Sequence, residues 1–212
     1  MNTAERFEKV ISYFSRAMPA AETELEYRDP YELIVAVILS AQCTDKRVNM
    51  ITSSFFERFP DAASLAAADQ EEVFEYIKSC SYPNNKARHL RGMARTLIRE
   101  FNGVVPDTLE ELQKLPGVGR KSANVILSVV FQKPAMAVDT HVFRVADRIG
   151  LTTGARTPYE SEMQLIKHIP EAKIPLAHHW LILHGRYICT ARRPACEKCG
   201  VRNFCRYVNN KT

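Results

Sequence analysis

A chain of 212 residues is long enough to form one large domain or two small ones with a buried core. Its composition, with 46% hydrophobic residues, 25% charged residues and 8 glycines, excludes an intrinsically disordered chain. A net charge of +5 suits a polyanionic partner, although many proteins without such a partner are equally basic.

The first predicted element is an amphipathic helix in MNTAERFEKVISYFSRAMP. This stretch carries acidic residues and lacks the unbroken apolar core of a secretory signal, so we expect no export and a cytoplasmic location. The apolar stretch LIVAVILSA, from Leu33, is shorter than the roughly 20 residues that span a bilayer, which predicts a buried helix and no membrane association. In an unexported chain, the six cysteines favour thiolate ligands or free thiols over disulfides.

Further helix signals follow along the whole chain, and no alternating strand pattern competes with them. A capping residue followed three positions later by an acid predicts helix starts at 69–72, 108–111 and 157–160. Gly103 and Gly150 stand where helices are expected to end. The sequence therefore predicts an all-α fold.

The stretch LPGVGRKSANVIL predicts a tight hairpin between helices at 108–114 and 120–131. Pro116 fixes the entry into the turn, while Gly117 and Gly119 are able to adopt positive φ and to let a ligand approach the backbone. Outward-facing amides and the positive end of the second helix dipole suit a phosphate. A glycine-rich turn followed by a solvated lysine is the alternative interpretation.

The periodicity of the second hairpin helix divides it into two faces. The spacing i, i+3, i+4, i+7 predicts a buried stripe, made of Ala123, Ile126, Leu127 and Val130. The opposite face, which we expect to be exposed, holds Lys121, Asn124 and Ser128. Lys121 is therefore expected to point away from the core.

Four cysteines near the end of the chain have the spacing C-x6-C-x2-C-x5-C, at Cys189, Cys196, Cys199 and Cys205. The spacing predicts a centre with four thiolate ligands, either a tetrahedral zinc site or a [4Fe-4S] cluster; paired CxxC units are typical of zinc sites, and this spacing has only one such pair. Cys43 and Cys80 are isolated in the sequence and are interpreted as ordinary thiols. The histidines expected to serve packing and hydrogen bonding are His141, His178, His179 and His184.

Several of these stretches together resemble one known family. LPGVGRKSANVIL followed by AVDTHVFRVADRIG, HHWLILHGRYIC and the terminal cysteines, with LSAQCTDKRVN upstream, is similar to the endonuclease III family of the helix-hairpin-helix DNA glycosylase superfamily. The resemblance covers nearly the whole chain and implies a two-lobed fold with DNA in the cleft between the lobes. A central helical lobe would span residues 22–131 and end in the helix-hairpin-helix at about 108–131, and an iron-sulfur cluster lobe would combine residues 1–21 with 132–212.

The resemblance assigns the chemistry to two residues, on opposite sides of that cleft. Lys121 would attack C1′ of a damaged nucleotide, expel the base and leave a Schiff base that breaks the strand by β-elimination. Only a neutral amine attacks, and the pKa of a lysine is ordinarily about 10.4, so the pKa of Lys121 must be lowered. We expect its position in the first turn of a helix, beside Arg120, to disfavour the ammonium. Asp139 would stabilise positive charge on the sugar and assist proton transfer; its spacing alone indicates a helix N-cap, and both roles are compatible.

The resemblance also implies the contacts that hold and distort DNA. Gln42 matches the residue that fills the gap left by the flipped nucleotide. Tyr82 is either a second wedge or a surface aromatic, because the chain reads Ser81-Tyr82-Pro83 where the family usually has Gly-Leu-Tyr. The hairpin residues that would grip a phosphate, through backbone amides and with a monovalent cation as a further expectation, are Gly117, Val118, Gly119 and Arg120.

Basic residues concentrate towards the C-terminus, where seven Lys or Arg occur from Arg186 onward against one acid, Glu197. The TARRPA segment between the first two terminal cysteines would be ordered by the cluster and would present Arg192 and Arg193 to DNA phosphates. A solvated basic loop is the alternative interpretation.

These features predict a bifunctional enzyme of base-excision repair, a DNA glycosylase and abasic-site lyase that acts on oxidised pyrimidines in duplex DNA. It would act as a monomer on the bacterial nucleoid. The alternatives are a monofunctional adenine-mismatch DNA glycosylase of the same superfamily and a DNA-binding protein that uses the hairpin without catalysis. Lys121, and a chain that ends seven residues after Cys205, disfavour the first alternative.

Overall fold

The computed structural model describes residues 1–210, and every regular element in that range is helical, which confirms the predicted all-α fold. The α-helices are α1 (Thr3–Ala17), α2 (Pro30–Ser40), α3 (Asp45–Arg58), α4 (Ala62–Ala67), α5 (Gln70–Ile77), α6 (Pro83–Phe101), α7 (Leu109–Leu112), α8 (Arg120–Val129), α9 (Thr140–Ile149), α10 (Pro158–His168), α11 (Ile174–Tyr187) and α12 (Arg206–Asn209). Short 3-10 helices cover Glu171–Lys173, Cys196–Lys198 and Arg202–Phe204. None of the helices in residues 1–210 combines the length and the apolar character that crossing a bilayer requires.

The predicted helix starts are present, with one difference in how they are capped. The hydroxyl of Thr157 accepts a hydrogen bond from the amide of Glu160 at 3.1 Å, and Thr108 caps α7 in the same way. Asp69 precedes α5, but its side chain makes no capping hydrogen bond within residues 1–210, so that helix begins without the predicted cap. Gly150 ends α9 with φ of +90°, the left-handed conformation that favours glycine.

The described chain divides into two compact units. One unit is continuous, Thr23–Phe131, and contains α2 to α8. The other joins Met1–Glu22 to the chain from Gln132 onward, and within it α1 contacts α11. Each unit has buried apolar side chains of its own, so each has its own hydrophobic core.

Helix α2 is the central element of the unit Thr23–Phe131. Every residue from Tyr31 to Leu39 is buried, as the apolar stretch predicts, because α3, α6 and α8 all contact this helix. Aromatic side chains extend the core, and the rings of Phe55 and Phe59 lie 4.9 Å apart. A helix held on several sides presents its C-terminal end, and the loop after Ser40, at a fixed place in the unit.

Helix α8 is more completely buried than its periodicity predicts. Its apolar stripe faces the core, but Asn124 and Ser128 are only 3% and 0% exposed. The prediction that these two residues share an exposed face with Lys121 is therefore wrong, although Lys121 itself is exposed. The whole run Ala123–Val129 is buried because both α2 and α7 contact α8.

The core of the other unit forms around α1, α9 and α11. Phe14 and Trp180 are both buried, and their rings stack with centroids 6.0 Å apart. The indole Nε1 of Trp180 donates to the carbonyl of Met18 at 2.7 Å, which satisfies a buried polar group. A Cβ on Gly185 would lie 2.9 Å from the Cβ of His141, so glycine lets the end of α11 approach the start of α9 closely.

Candidate functional site

The turn between α7 and α8 is the hairpin that the sequence predicts, and its two glycines differ. Gly117 has φ of +85°, and a Cβ there would lie 2.9 Å from the Cβ of His89, so only glycine fits. Gly119 has φ of −87°, which any residue adopts, and the expectation of positive φ is wrong for it. No atom of residues 1–210 other than its chain neighbours lies within 4 Å of a Cβ built on Gly119, which leaves room for a ligand beside the backbone.

The amides of the hairpin are only partly available to a phosphate. The amide of Val118 donates to the carbonyl of Leu115 at 3.0 Å, so it is engaged within the turn, contrary to the expectation that it faces a ligand. Gly119 is the N-cap of α8, and its carbonyl accepts from the amide of Ala123 at 2.9 Å. First-turn amides have no acceptor inside their own helix, and with the helix dipole they attract an anion. The part of the hairpin that suits an anion is therefore the start of α8.

Lys121 is the second residue of α8, and its side chain is exposed. It stands beside Arg120 at the positive end of the helix dipole, where an added positive charge is disfavoured. This position leaves the amine of Lys121 accessible from outside the protein.

Asp139 is the N-cap of α9, as its position predicts, and it is half-buried. One carboxylate oxygen, Oδ1, accepts from the amides of His141 and Val142, both at 2.8 Å. The cap uses this oxygen and leaves Oδ2 for a further contact. The carboxylate is therefore able to begin the helix and to face a cationic group of a substrate.

Arg144 joins the start of α9 to the end of α11 and to the first terminal cysteine. Its guanidinium donates to the carbonyls of Gly185 at 2.9 Å and Cys189 at 3.1 Å. The same group contacts Nδ1 of His141 at 3.1 Å. The sequence pattern does not reveal this role, because the two carbonyls lie 41 and 45 residues further along the chain.

The two candidates for DNA distortion lie on linked loops of the unit Thr23–Phe131. Gln42 follows α2 and Tyr82 precedes α6, and both side chains are exposed, that of Tyr82 to 61%. The backbone of both residues is in the left-handed conformation, with φ of 53° and 54°, which few residues other than glycine adopt. The hydroxyl of Ser81 donates to the carbonyl of Gln42 at 2.7 Å and so links the loops.

Cys43 and Cys80 are far apart in the sequence but lie on these same two loops, with their Sγ atoms 3.9 Å apart. Both are thiols rather than partners in a disulfide. Cys80 is buried, and burial, with a smaller effect of Cys43, raises the pKa of its thiol to about 11. The contact between the two thiols is a second link between the loops.

The four terminal cysteines line one pocket, together with apolar side chains that include Ile188 and Val201. Four thiols around an apolar pocket are soft donors that suit iron in a sulfide cluster. In residues 1–210, no three Cys, His, Asp or Glu side chains are arranged to hold a single metal ion. The donor set and the pocket fit a multi-iron cluster to which each cysteine would contribute one bond.

Two polar side chains also line this pocket and face its sulfur atoms. Nε2 of His184 lies 3.5 Å from Sγ of Cys199, and burial lowers the pKa of His184 to about 4, so its ring is neutral near pH 7. The guanidinium of Arg148 donates to Sγ of Cys189 at 3.6 Å. His184 thus serves packing and hydrogen bonding, as the sequence predicts for it.

Arg192 and Arg193 are exposed on the loop between the first two terminal cysteines. This loop is held from α9, because Arg148 donates to the carbonyls of residues 190–191 at 2.8 and 2.7 Å. The sequence does not indicate this role of Arg148, whose acceptors lie 42 and 43 residues away. Lys211, one of the basic residues counted at this end of the chain, lies outside the described residues.

Two protein-family models match the chain. Residues 35–171 match the HhH-GPD superfamily of base excision DNA repair proteins, a range that contains both α8 and α9. Residues 189–205 match the iron-sulfur binding domain of endonuclease III, a range that begins and ends at cysteines of the pocket.

Curated relatives match over almost their full length. The chain is 45% identical to endonuclease III of Rickettsia felis, over 98% of this chain and 97% of that protein. It is 41% identical to endonuclease III of Escherichia coli, over the same shares of the two chains. The chain belongs to the endonuclease III family.

Solved structures related to the endonuclease III family have the same fold. A trapped covalent intermediate of endonuclease III with DNA and a non-covalent complex of endonuclease III with DNA both align with a TM-score of 0.94, at 41% and 40% identity. Each alignment covers 100% of this chain and 99% of the other. A thermostable thymine-DNA glycosylase aligns with a TM-score of 0.89 at 25% identity, over 98% of this chain and 99% of that one.

Membership of the endonuclease III family decides two questions that the residues alone leave open. The terminal cysteines belong to an iron-sulfur domain, so the cofactor is a [4Fe-4S] cluster rather than zinc. The chain is an enzyme, a DNA glycosylase and abasic-site lyase of base-excision repair, rather than a DNA-binding protein without catalysis.

Proposed function

We propose that Lys121 is the nucleophile with which this chain removes oxidised pyrimidines from duplex DNA and then cleaves the strand. The observation that carries the proposal is an exposed lysine in the first turn of α8, directly after the glycine hairpin. The fold matches that of an endonuclease III trapped as a covalent intermediate on DNA, which supports a nucleophile on the protein.

The chemistry needs one amine and one displaced base. The neutral amine of Lys121 would attack C1′ of the damaged nucleotide, and the base would leave with the electron pair of the glycosidic bond. Ring opening of the sugar would convert the resulting amine adduct to an imine. Loss of a proton from C2′ would then expel the 3′ phosphate, so the strand breaks 3′ to the abasic site, and water would hydrolyse the imine to restore the lysine.

We infer that Asp139 acts on the same sugar. Oδ1 is engaged as the cap of α9, which holds the carboxylate in place, and Oδ2 would stabilise the positive charge that develops on the sugar as the base leaves. The same oxygen would accept and return protons between the steps.

The start of α8 would bind a phosphate beside the lesion. Gly117 shapes the turn, Gly119 leaves the space for the phosphate, and Arg120 adds a positive charge. Val118 would contribute to the shape of the turn rather than through its amide, which is engaged with Leu115. A monovalent cation bound to hairpin carbonyls would add attraction for the phosphate.

Other exposed side chains would complete the DNA contacts. Gln42 and Tyr82 would enter the gap that the flipped nucleotide leaves in the stack. Arg192 and Arg193 would contact phosphates of the backbone, because their loop is exposed and held in place.

We infer that the cluster is held by Cys189, Cys196, Cys199 and Cys205. When bound, the cluster supplies a cross-link among four points of a segment whose own helices are short. The segment would thereby keep the basic loop in its place. The protein would work as a monomer in the cytoplasm, on the DNA of the nucleoid.

Borohydride trapping on a duplex with one thymine glycol tests the role of Lys121. Borohydride reduces the imine to a stable amine, so the unsubstituted protein should yield a covalent adduct and Lys121→Ala should yield none. Lys114→Ala is the matched control, because Lys114 is an exposed lysine of the same hairpin. Asp139→Asn should keep the fold and slow base release by roughly two orders of magnitude or more.

An adduct that persists in Lys121→Ala would contradict the assignment of the nucleophile. Base release without any adduct in the unsubstituted protein would favour a monofunctional glycosylase. Release of no oxidised pyrimidine at all would contradict the proposed substrate.

A further inference from the structure

Lys86 is a buried lysine that the chemistry described above does not use. It lies in the first turn of α6 and is only 4% exposed. Its Nζ donates to the carbonyls of Leu39 and Ala41, both at 2.8 Å, and to the hydroxyl of Ser81 at 3.2 Å. The three donors of one ammonium therefore reach the loop of Gln42 and the loop before α6 together.

The acceptors of Lys86 explain why a charge is tolerated there. Leu39 and Ala41 stand at the C-terminal end of α2, where helix carbonyls lack partners and the dipole is negative. Burial lowers the pKa of Lys86, and the thiols of Cys80 and Cys43, which are also close, act in the opposite direction when they ionise. The ammonium of Lys86 thus has an oxygen acceptor for each of its three N–H groups.

Ser81 links Lys86 to Gln42 by hydrogen bonds. Its hydroxyl contacts Nζ of Lys86, and it lies 2.7 Å from the carbonyl of Gln42 and 3.2 Å from that of Ala41, to which it donates. Tyr82 is the next residue and begins α6, the helix that carries Lys86. The buried side chain of Lys86 therefore contacts the residue before Gln42 and the residue before Tyr82, and through Ser81 it is linked to the carbonyl of Gln42 itself.

The backbone at the two exposed residues needs such a restraint. Gln42 and Tyr82 have φ of 53° and 54°, and a left-handed conformation of a residue other than glycine persists where its surroundings hold it. Both side chains are exposed, so burial in the core does not hold them in place. Strain that is held in place at exposed residues is typical of a binding site.

We propose that Lys86, acting through Ser81, is a positioning residue that holds Gln42 and Tyr82 as one rigid unit for entry into the gap in the DNA stack. This inference rests on the proposed function, in which these two residues contact DNA. Lys86 touches neither the substrate nor the reacting atoms. It preorganises Gln42 and Tyr82 in the geometry in which they replace the flipped nucleotide.

The test compares a substrate that needs gap filling with one that does not. In single turnovers, Lys86→Met should slow release of thymine glycol from a duplex by about 10- to 100-fold. Trapping on a single-stranded abasic oligonucleotide, which has no opposite strand and no gap, should change by less than about threefold. Lys78→Met is the matched control, because Lys78 is an exposed lysine at the end of α5, and it should leave both rates unchanged.

A double-mutant cycle separates positioning from general stability. If Lys86 acts through Gln42, Lys86→Met should slow base release from the duplex only slightly further once Gln42→Ala is present. A merely structural role would lower the active fraction equally on both substrates and in both backgrounds, and that result would overturn the proposal.

Ser81→Ala decides the matter if Lys86→Met fails to fold, since it removes one hydroxyl and keeps the ammonium. It should lower the ratio of duplex to single-strand rates by about 3- to 10-fold, as loss of one or two hydrogen bonds implies. An unchanged ratio in Ser81→Ala would overturn the proposal. Failure of the unsubstituted protein to release thymine glycol would instead contradict the proposed function, so the two failures are distinguishable.

Discussion

Gly117 and Gly119 lie two residues apart in one turn, and each lacks a side chain for a different reason. Gly117 is required by the fold, because its φ is positive and a Cβ would meet His89. Gly119 has an ordinary φ and open space beside it, so the fold does not require a glycine there. The structure thus shows a folding role for Gly117, and the proposed phosphate site assigns a binding role to Gly119.

Replacing each glycine by alanine tests that separation. Gly117→Ala should destabilise the protein by about 1–3 kcal/mol, because the left-handed backbone and the contact with His89 both oppose a methyl group. Gly119→Ala should destabilise the protein less than Gly117→Ala, since only the N-cap of α8 is affected, and should weaken binding to a duplex with an abasic-site analogue by about tenfold, because the methyl group occupies the space left for a phosphate. Thermal unfolding and fluorescence anisotropy measure the two effects. Normal binding by Gly119→Ala would contradict the phosphate site.

The loop between the first two terminal cysteines has no helix or strand over most of its length. It is shaped by contacts with α9, through Arg148, and by the hydroxyl of Thr190, which donates to the carbonyl of Arg193 at 2.7 Å. These contacts hold the backbone of the loop. Arg192 and Arg193 are thus an exposed pair of charges on a restrained segment.

The salt dependence of DNA binding measures what that pair contributes. Each arginine that contacts a phosphate releases counterions, so Arg192→Ala with Arg193→Ala should reduce the slope of log Kd against log salt by about 2. Lys9→Ala, an exposed lysine of α1, serves as the control and should keep the slope. A slope unchanged by the arginine substitutions would favour the solvated-loop interpretation.

The molecule as a whole consists of two units with separate cores, and they differ in what stabilises them. The unit Thr23–Phe131 is built on α2 and on the long helix α6. The other unit ends in two 3-10 helices and the four-residue α12, which are too short to be stable alone. Val201 and Cys205 join that end to the core, and the cluster, held as proposed above, would supply the remaining restraint.

Removal of the cluster should therefore affect one unit first. Oxidation with a chelator present should abolish the visible absorbance and allow a protease to cut the chain after about residue 188, while the unit Thr23–Phe131 resists longer. Limited proteolysis with mass spectrometry identifies the sites. Early cuts within α2 or α6 would contradict independent stability of the two cores.

The predictions from sequence succeeded where the interactions are local. The hairpin and the cap at Asp139 depend on neighbours within a few residues, and both are present. The predictions failed at Gly119, Asn124 and Ser128. The φ of a glycine and the burial of a polar residue depend on what packs against them, which periodicity does not contain.

The sequence by itself determined the helical fold, the hairpin before Lys121, the four terminal thiols and the resemblance that the comparisons confirm. These features follow from hydrogen bonds between residues that are close in the sequence and from motifs whose residues follow one another in the chain. Only the tertiary structure decided that Lys86 joins two loops, that Arg148 holds the basic loop and that the α8 face is buried. Those contacts join residues roughly 40 or more positions apart or depend on neighbouring helices, and packing free energy rather than local preference selects them.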